Sequence, residues 1–220
     1  EYVTAPAKDI FHLPPEISLE EAAIIADAVS TPWHAVRNRA RVRPGETVAV
    51  FGCGGVGLNV VQCAALAGGI VYAVDLDPAR LDLARQLGAA VTLNGRETER
   101  PDKELKRLTG GGVDVAFEAI GKPRTLTLAF DSLRRGGRMV VIGYCGESVS
   151  WAPSKIMFHE MEVLGSLGCR PVDYPALIEL VQRGRIRLGP LVSGKIPLHR
   201  INEGLDLLRR GEGVRWVVTP

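Results

Sequence analysis

Several features that would direct the interpretation are scarce in this sequence or missing from it. It has four cysteines in 220 residues, and they lie too far apart for a C-x-x-C pair or a disulfide framework. No apolar run reaches the roughly 18 residues that a membrane span needs, and Glu1–Asp9 lacks the basic and apolar segments of a secretory signal. Neither sign of charge is in excess, because 27 basic side chains accompany 25 acidic ones. These absences argue against nucleic-acid and membrane partners and favour a cytoplasmic protein.

What is present is a regular alternation of short apolar segments and helical segments from Glu46 onward. The apolar segments are almost uninterrupted, which is typical of strands buried on both faces of a parallel sheet. We predict strands at Thr47–Phe51, Ile70–Val74, Ala90–Leu93, Val113–Phe117, Arg138–Ile142 and, last, Val214–Thr219. The predicted helices include Gly54–Gly68, Asp102–Leu108, Leu126–Leu133, Tyr174–Arg183 and Leu198–Arg209. This alternation predicts a doubly wound α/β fold with a parallel sheet.

Local signals indicate where some helices begin and end. Asp77 can cap a helix that starts at Pro78, and Gly88 can close it. The glycine pair Gly136–Gly137 is predicted to end the helix Leu126–Leu133.

A glycine-rich segment, G-C-G-G-V-G, follows the first predicted strand and opens a helix. This is the context that a dinucleotide-binding fingerprint requires. Gly52 permits a tight turn, Gly54 lets the backbone approach a pyrophosphate, and Gly57 lets the helix lie close to the strand. The start of the helix, with Gly55 and Val56, offers free N–H groups and a positive dipole end to the anion.

An acidic residue supports the same interpretation. Asp75 ends the second strand 18 residues after Gly57, where a carboxylate can accept hydrogen bonds from the adenosine ribose hydroxyls. A 2′-phosphate would meet this carboxylate as a like charge, so we predict NAD in preference to NADP. Arg80 is a candidate to reach the ribose or the adenine edge. An S-adenosylmethionine methyltransferase, or a tight turn that binds another ligand, is the alternative, and the Gly-Gly-Val-Gly run favours the dinucleotide.

Several segments carry a wider resemblance, namely Gly45–Gly57, Val74–Asp77, Leu87–Ala89, Phe117–Gly121, Val141–Gly143 and Gly213–Val218. Together they resemble the medium-chain dehydrogenase/reductase superfamily, especially its zinc-dependent alcohol dehydrogenases. The resemblance implies a Rossmann dinucleotide-binding domain with flanking remnants of a GroES-like catalytic domain. It also implies hydride transfer between NAD and a small-molecule alcohol or carbonyl substrate, with zinc polarising the substrate oxygen.

The resemblance assigns further residues to the site. Ile120 and Ile142, at the carboxyl ends of the fourth and fifth strands, match positions that line the adenosine and nicotinamide pocket. Thr31 matches a position beside the nicotinamide ring, and His34, near the same end, is a candidate proton relay. Arg215 matches an arginine that contacts the pyrophosphate. The alternatives are a capping hydroxyl for Thr31 and a solvated strand-edge side chain for Arg215.

The resemblance also implies a domain layout in which a catalytic domain precedes the region seen here. Glu1–Val3 resembles the last strand of that domain, and we predict a strand at Tyr2–Ala5. The implied parts are residues 1–28 as the end of the catalytic domain and a linker helix, residues 29–167 as the dinucleotide-binding domain, and residues 168–220 as a segment that returns to the catalytic domain.

Two further expectations concern the linker helix and the sheet edge. Ser18, with Glu21 at the capping-box position, predicts the start of the linker helix. Glu162–Leu167 is the expected edge strand of the sheet, and family members dimerise through this edge. We therefore expect a homo-oligomer, a dimer or a tetramer.

The metal ligands are expected to lie mainly outside this sequence. The family's catalytic zinc is held by a cysteine and a Gly-His-Glu segment that have no counterpart here. Asp27 occupies the position of a further ligand, and it can serve only if the preceding domain supplies the others. One ligand cannot fix a tetrahedral ion, so we predict zinc in the complete enzyme and not in this chain alone. Cys53 is a candidate reactive thiol, since a helix N-terminus lowers the thiol pKa.

The sequence therefore predicts the cofactor-binding part of an NAD-dependent, zinc-type alcohol dehydrogenase. One alternative is an inert NAD-binding module or fragment, which the missing zinc ligands support. Another is a zinc-free quinone or enoyl reductase of the same superfamily, against which Asp75 and Asp27 argue. A short-chain dehydrogenase is disfavoured because no tyrosine is followed by lysine four residues later.

Overall fold

The computed structural model describes residues 4–220, which form two compact units. One unit is Thr31–Leu167, and the other combines the described residues up to Ser30 with Gly168–Pro220. Glu1–Val3 lies outside the described residues. Of the strand predicted at Tyr2–Ala5, Thr4 and Ala5 are described, and neither is in a strand.

The unit Thr31–Leu167 is built on a six-stranded parallel sheet with the strand order β3-β2-β1-β4-β5-β6. This order makes the chain reverse its direction of winding between β1 and β4, as in a Rossmann fold. The doubly wound parallel sheet predicted from the sequence is confirmed. The strands are β1 Thr47–Phe51, β2 Ile70–Asp75, β3 Ala89–Asn94, β4 Val113–Glu118, β5 Leu133–Val141 and β6 Glu162–Gly165.

Helices alternate with these strands, and four of them begin with a proline at the first helical position, where no N–H partner is needed. The Asp77 side chain caps one of the four by accepting from Ala79 N at 2.9 Å, as predicted. The helices are α1 Leu19–Ala22, α2 Ser30–Trp33, α3 Gly55–Leu66, α4 Pro78–Gln86, α5 Pro101–Thr109, α6 Pro123–Asp131, α7 Pro153–His159, α8 Tyr174–Gln182 and α9 Ile201–Arg209, with π-helical segments at Ile25–Val29 and His34–Ala40.

The predicted boundary between α6 and β5 is wrong. The helix ends at Asp131 and the strand begins at Leu133, so Gly136 and Gly137 lie inside β5 and do not end α6. The register of β4 and β5 shifts between Val113 and Val115. A Cβ on Gly137 would lie 2.9 Å from the Arg134 carbonyl oxygen, and Gly136 has a φ of +68°. The glycine pair is therefore needed for an irregular strand, a use that sequence alone does not distinguish from a helix end.

The core of this unit lies between the sheet and its helices. Five large apolar side chains in it are at most 1% exposed, namely Phe51, Phe117, Phe130, Leu105 and Met139. Each such side chain contributes on the order of 1.5–3 kcal/mol by leaving water. The apolar strands are thus covered on both faces, which fixes the sheet and holds the strand ends at defined positions.

The other unit carries a two-stranded parallel sheet, β7 Val192–Pro197 with β8 Arg215–Thr219, and β7 had not been predicted. The Ser18 hydroxyl accepts from Glu21 N at 3.2 Å, so the predicted helix start is confirmed. Within residues 4–220 the structure contains no helix with the length and hydropathy to cross a membrane.

Candidate functional site

The glycine-rich turn joins β1 to α3 at the carboxyl edge of the sheet, which confirms its predicted strand-turn-helix context. Gly52 has a φ of +94°, and its N–H donates to the Val74 carbonyl at 2.8 Å. A Cβ on Gly57 would lie 1.7 Å from the Gly52 carbonyl oxygen, so only glycine allows the helix to start this close to the turn. A Cβ on Gly54 would meet nothing within 4 Å. The turn is therefore tight on the protein side and open at Gly54.

The open side is the amino end of α3. Gly54 is the N-cap residue, and Gly55 and Val56 are the first two residues of the helix. Gly54 has no side chain that could accept a hydrogen bond from the first N–H groups of the helix. The N–H groups of a first turn have no partner within the helix and attract anions. This end of α3 can therefore hold a pyrophosphate through backbone groups.

Asp75 connects the end of β2 to this turn. Its Oδ2 accepts from Cys53 N at 2.6 Å, and its Oδ1 accepts from Leu76 N at 2.7 Å and Asp77 N at 3.0 Å. A carboxylate has about four acceptor positions, so these three bonds leave about one, on Oδ2. Asp75 thus supports the turn and keeps an acceptor for a ligand hydroxyl.

Arg80 lies in the first turns of α4, beside the Asp75 strand end. Its Nε is 3.6 Å from Asp77 Oδ2, and 27% of its side chain is exposed. The guanidinium is therefore held near the end of β2, next to the carboxylate of Asp77.

The loops after β4 and β5 form the opposite wall. Ile120, 41% exposed, packs over the turn, since a Cβ on Gly52 would lie 2.4 Å from Ile120 Cγ1. Ile142 N donates to the Glu118 carbonyl at 2.9 Å, and Ile142 is half-buried. A Cβ on Gly121 would lie 2.0 Å from the Tyr144 carbonyl oxygen, so the two loops lie in direct contact. The structure thus brings Ile120 and Ile142 to the same edge as the glycine-rich turn.

Together these segments frame the crevice between the carboxyl ends of β1 and β4. In an open α/β sheet the chain reverses its winding at this point, and ligands bind in the crevice that results. One wall is polar, with the amino end of α3 and Asp75, and the other is apolar, with Ile120 and Ile142. Such a crevice fits a ligand with a charged bridge between flat, partly apolar rings.

Sequence reasoning missed Glu118, the last residue of β4. Its side chain is fully buried and accepts from Ile120 N, Gly121 N and the Thr125 hydroxyl at 3.1, 2.9 and 2.7 Å. The available signal was a charged residue that ends an otherwise apolar strand.

The remaining candidate residues are divided between the two units. Thr31 is buried and His34 is half-buried in the unit that carries the sheet, where His34 Nδ1 lies 3.1 Å from Asn38 Nδ2. Asp27 is exposed in the π-helical segment Ile25–Val29 of the other unit, and Arg215 begins β8 there. The roles of these four residues stay predictions.

No group of three or more histidine, cysteine, aspartate or glutamate side chains able to hold a metal is found among residues 4–220. A structural or catalytic zinc needs three or four protein ligands. Residues 4–220 therefore do not fit a zinc ion by themselves, and Asp27 can act as a ligand only together with residues from elsewhere.

The prediction of a reactive thiol at Cys53 is wrong. Burial, the largest effect, raises the pKa of this thiol far above its usual value, and the charge of Asp75 adds to that shift. The Cys53 side chain has no exposed surface. Desolvation disfavours a thiolate at this position, so the thiol stays protonated at neutral pH.

A basic cavity of about 180 Å³ opens at the amino ends of β4 and β5, on the edge of the sheet opposite the glycine-rich turn. Two of its cations are already paired, Arg134 with Asp114 and Lys155 with Asp131. Lys106 lies in the last turn of α5, where a cation offsets the negative end of the helix dipole. This cavity is therefore not part of the candidate site.

Comparisons with known proteins bear on the same segments. Residues 55–183 match the family model described as zinc-binding dehydrogenase. The S-(hydroxymethyl)glutathione dehydrogenases of Synechocystis and of Haemophilus influenzae are 34% and 33% identical to this chain over 99% of its length. The chain spans 61% and 60% of those two relatives.

Solved structures that resemble this chain are also dehydrogenases. The 2R,3R-butanediol dehydrogenase of Bacillus subtilis is 35% identical, with a TM-score of 0.88, over 96% of this chain and 60% of that one. The alcohol dehydrogenase of Aeropyrum pernix is 34% identical, with a TM-score of 0.85, over 94% of this chain and 61% of that one. The resemblance to zinc-dependent alcohol dehydrogenases is thereby confirmed.

Proposed function

The chain belongs to the zinc-binding dehydrogenase family, and from that membership and the geometry of the crevice we propose that it is the cofactor-binding part of an NAD-dependent alcohol dehydrogenase. The complete enzyme would transfer a hydride between NAD and a small alcohol or carbonyl substrate. We further propose that it works in the cytoplasm as a dimer or tetramer that associates through the exposed edge strand β6.

The observation that carries the proposal is the open side of the glycine-rich turn. Gly54 leaves space in front of the amino end of α3, while Gly52 and Gly57 fit only because they lack a Cβ. A pyrophosphate bound there would accept from the backbone N–H groups of Gly55 and Val56. Arg215 is proposed to add a positive charge to the same phosphates.

Asp75 supports NAD as the preferred cofactor. Its free acceptor position suits a ribose hydroxyl, and its charge would repel the 2′-phosphate of NADP. Arg80, next to it, is proposed to contact the ribose or the adenine edge. Ile120 and Ile142 would cover the apolar faces of the adenosine and nicotinamide rings.

For the chemical step, this chain is proposed to bind and orient the cofactor. Thr31 would pack beside the nicotinamide ring, and His34 would move a proton at its imidazole. In the complete enzyme a bound zinc ion would polarise the substrate oxygen. Since the described residues do not hold a zinc ion by themselves, the proposed role of this chain includes no metal-dependent step.

Titration of the purified chain with NADH, followed by the change in nicotinamide fluorescence, tests the proposal. We expect saturable binding of NADH and weaker binding of NADPH. Failure to bind NADH at millimolar concentration would contradict the proposed function. Equal affinity for the two cofactors would contradict the role of Asp75 alone.

A second candidate function is an NAD-binding module without catalysis. It is favoured by the lack, among residues 4–220, of any side-chain group able to hold a metal. A screen of alcohols with NAD and added zinc tests this second function. The module predicts cofactor binding without turnover, whereas turnover by this chain would exclude it.

A zinc-free quinone or enoyl reductase of the same superfamily is disfavoured. Enzymes of that kind usually use NADPH, and the proposed position of Asp75 would repel its 2′-phosphate.

A further inference from the structure

Glu118 is a fully buried carboxyl group for which no ion pair is found in the described part of the chain. Its oxygens instead accept from the backbone and from a hydroxyl. Oε1 accepts from Ile120 N, Gly121 N and Thr125 Oγ1, and Oε2 accepts from Gly121 N at 3.1 Å. Burying an acidic group lowers the stability of the fold unless its oxygens accept hydrogen bonds. The four bonds to Glu118 supply that compensation and tie it to the residues that donate them.

The groups that Glu118 binds all lie after the end of β4. Ile120 and Gly121 form the loop that enters the crevice, and Thr125 lies in the first turn of α6. The side chain therefore joins the strand end, the loop and the next helix through one group. A carboxylate near the amino end of α6 is also favoured by the helix dipole.

The second loop at this edge is bound by the backbone of the same residue. Ile142 N and Gly143 N both donate to the Glu118 backbone carbonyl, at 2.9 and 3.0 Å. A Cβ on Gly143 would lie 2.7 Å from Glu118 Oε2 and 2.2 Å from Gly121 N. The loop after β5 thus packs against the loop that Glu118 holds.

The position of Ile120 follows from these contacts. Its N–H is held by Glu118, and its side chain lies over Gly52 with 41% of its surface exposed. If the loop were released, Ile120 would leave the face of the glycine-rich turn. The apolar wall of the crevice therefore depends on a side chain that has no surface in the crevice.

We infer that Glu118 is a positioning residue for the cofactor: it holds Ile120 and Gly121 so that the apolar wall faces the pyrophosphate-binding turn. This inference rests on the proposed function. The residue does not touch the cofactor. It acts through the loop, so its replacement changes the affinity for the cofactor.

The same strand offers a matched control. Asp114, near the amino end of β4, accepts from Thr47 N and Thr47 Oγ1 at 2.7 Å each and from Arg134 Nε at 2.6 Å. It joins neighbouring elements as Glu118 does, but at the edge of the sheet away from the crevice. Asp114→Asn therefore measures the effect of losing a structural carboxylate from this strand.

The experiment compares Glu118→Gln and Asp114→Asn in the full 220-residue chain. We measure the Kd for NADH, the Tm, and the hydrogen-exchange rates of the Ile120 and Gly121 amides by NMR. We expect both variants to have a lower Tm. Only Glu118→Gln should raise the Kd, by about tenfold, a change that corresponds to the loss of about one good hydrogen bond. Only Glu118→Gln should speed exchange at the two amides.

Unchanged NADH affinity in Glu118→Gln, or an equal rise in Kd in Asp114→Asn, would overturn the inference. If the wild-type chain binds no NADH, the proposed function fails. Faster exchange confined to Glu118→Gln would then still support the positioning of the loop, and unchanged exchange would overturn it.

Should Glu118→Gln fail to fold, Thr125→Val provides the test. It removes one of the hydrogen bonds to Oε1 and leaves the carboxyl group in place. We expect a rise in Kd of about threefold, smaller than for the glutamate variant because the two backbone donors remain. An unchanged Kd would overturn the inference.

Discussion

The carboxylate of Asp75 accepts a hydrogen bond from the backbone N–H of Cys53 at 2.6 Å. This bond ties the end of β2 to the middle of the glycine-rich turn. The residue expected to select the ribose is thus also part of the support of the turn that would hold the phosphates. The proposed ribose and phosphate positions are therefore coupled through one side chain.

Replacing Asp75 tests this coupling. In Asp75→Ala three backbone N–H groups lose their acceptor, so we expect the free energy of unfolding to fall by about 1 kcal/mol. The Kd for NADH should rise, and the preference for NADH over NADPH should narrow because the repulsion of the 2′-phosphate is gone. Fluorescence titrations with both cofactors measure the ratio. An unchanged ratio would remove Asp75 from the cofactor site.

Two glycines of the turn should respond differently to a single methyl group. In Gly57→Ala the Cβ would overlap the Gly52 carbonyl oxygen, so α3 must move and the free energy of unfolding should fall by about 1–3 kcal/mol. Gly54 has a φ of −77° and open space around it, so Gly54→Ala should keep the stability of the wild type.

The affinity for NADH should nevertheless fall in both variants. In Gly54→Ala the new methyl group occupies the approach of the pyrophosphate, and we expect a rise in Kd of about tenfold, or about 1.4 kcal/mol. Urea unfolding and NADH titration of each variant give the two quantities. A Gly54→Ala chain that binds NADH as the wild type does would place the phosphates elsewhere.

The sequence was sufficient to predict those parts of the structure whose signals are local. The glycine spacing, the strand before it and the proline at the start of α4 each depend on a few neighbouring residues, and the structure has them as expected. Glu118 was missed because its partners become visible only when the loop folds back on the strand. Gly136 and Gly137 were misassigned because a glycine pair has the same local pattern at a helix end and in an irregular strand.

Cys53 shows a competition that sequence cannot resolve. Its place at the start of α3 predicts a low thiol pKa, and its burial predicts a high one. Burial is the largest effect on the pKa of this thiol, and the burial is complete only in the folded chain.

The cysteines should therefore differ in reactivity. Cys53 and Cys63 are buried, and burial raises the pKa of Cys63 to about 12, whereas Cys145 and Cys169 are partly exposed. A thiol reagent at neutral pH should modify Cys145 and Cys169 in the folded chain, and all four cysteines in urea. Rapid modification of Cys53 in the folded chain would contradict the burial described here.

The two buried thiols, Cys53 and Cys63, predict how stability depends on pH. An unfolded thiol ionises near pH 8.5, whereas the buried thiols stay protonated to higher pH. Above about pH 8.5 the unfolded state therefore binds fewer protons than the folded state, and the free energy of unfolding falls as the pH rises. Urea unfolding between pH 7 and pH 10 measures the slope. The variant Cys63→Ala should show a shallower slope than the wild type.

The ion pair between Glu46 and Arg138 should contribute to stability without affecting the cofactor. The side chains are 16% and 15% exposed, and Arg138 also donates to the carbonyls of Ala40 and Arg41. In Arg138→Leu the largely buried carboxylate of Glu46 loses its charged partner and keeps the bond from Arg43 N, and we expect the free energy of unfolding to fall by about 3 kcal/mol.

The exposed pair of Arg85 with Asp82 provides the control, since its side chains are 56% and 66% exposed. Arg85→Leu should change the free energy of unfolding by less than about 0.5 kcal/mol. Both arginine variants should bind NADH as the wild type does under conditions where they are folded, because β5 carries Arg138 near its middle and Arg85 lies at the far end of α4. A loss of NADH affinity in folded Arg138→Leu, with Arg85→Leu unaffected, would show that the crevice depends on this ion pair as well.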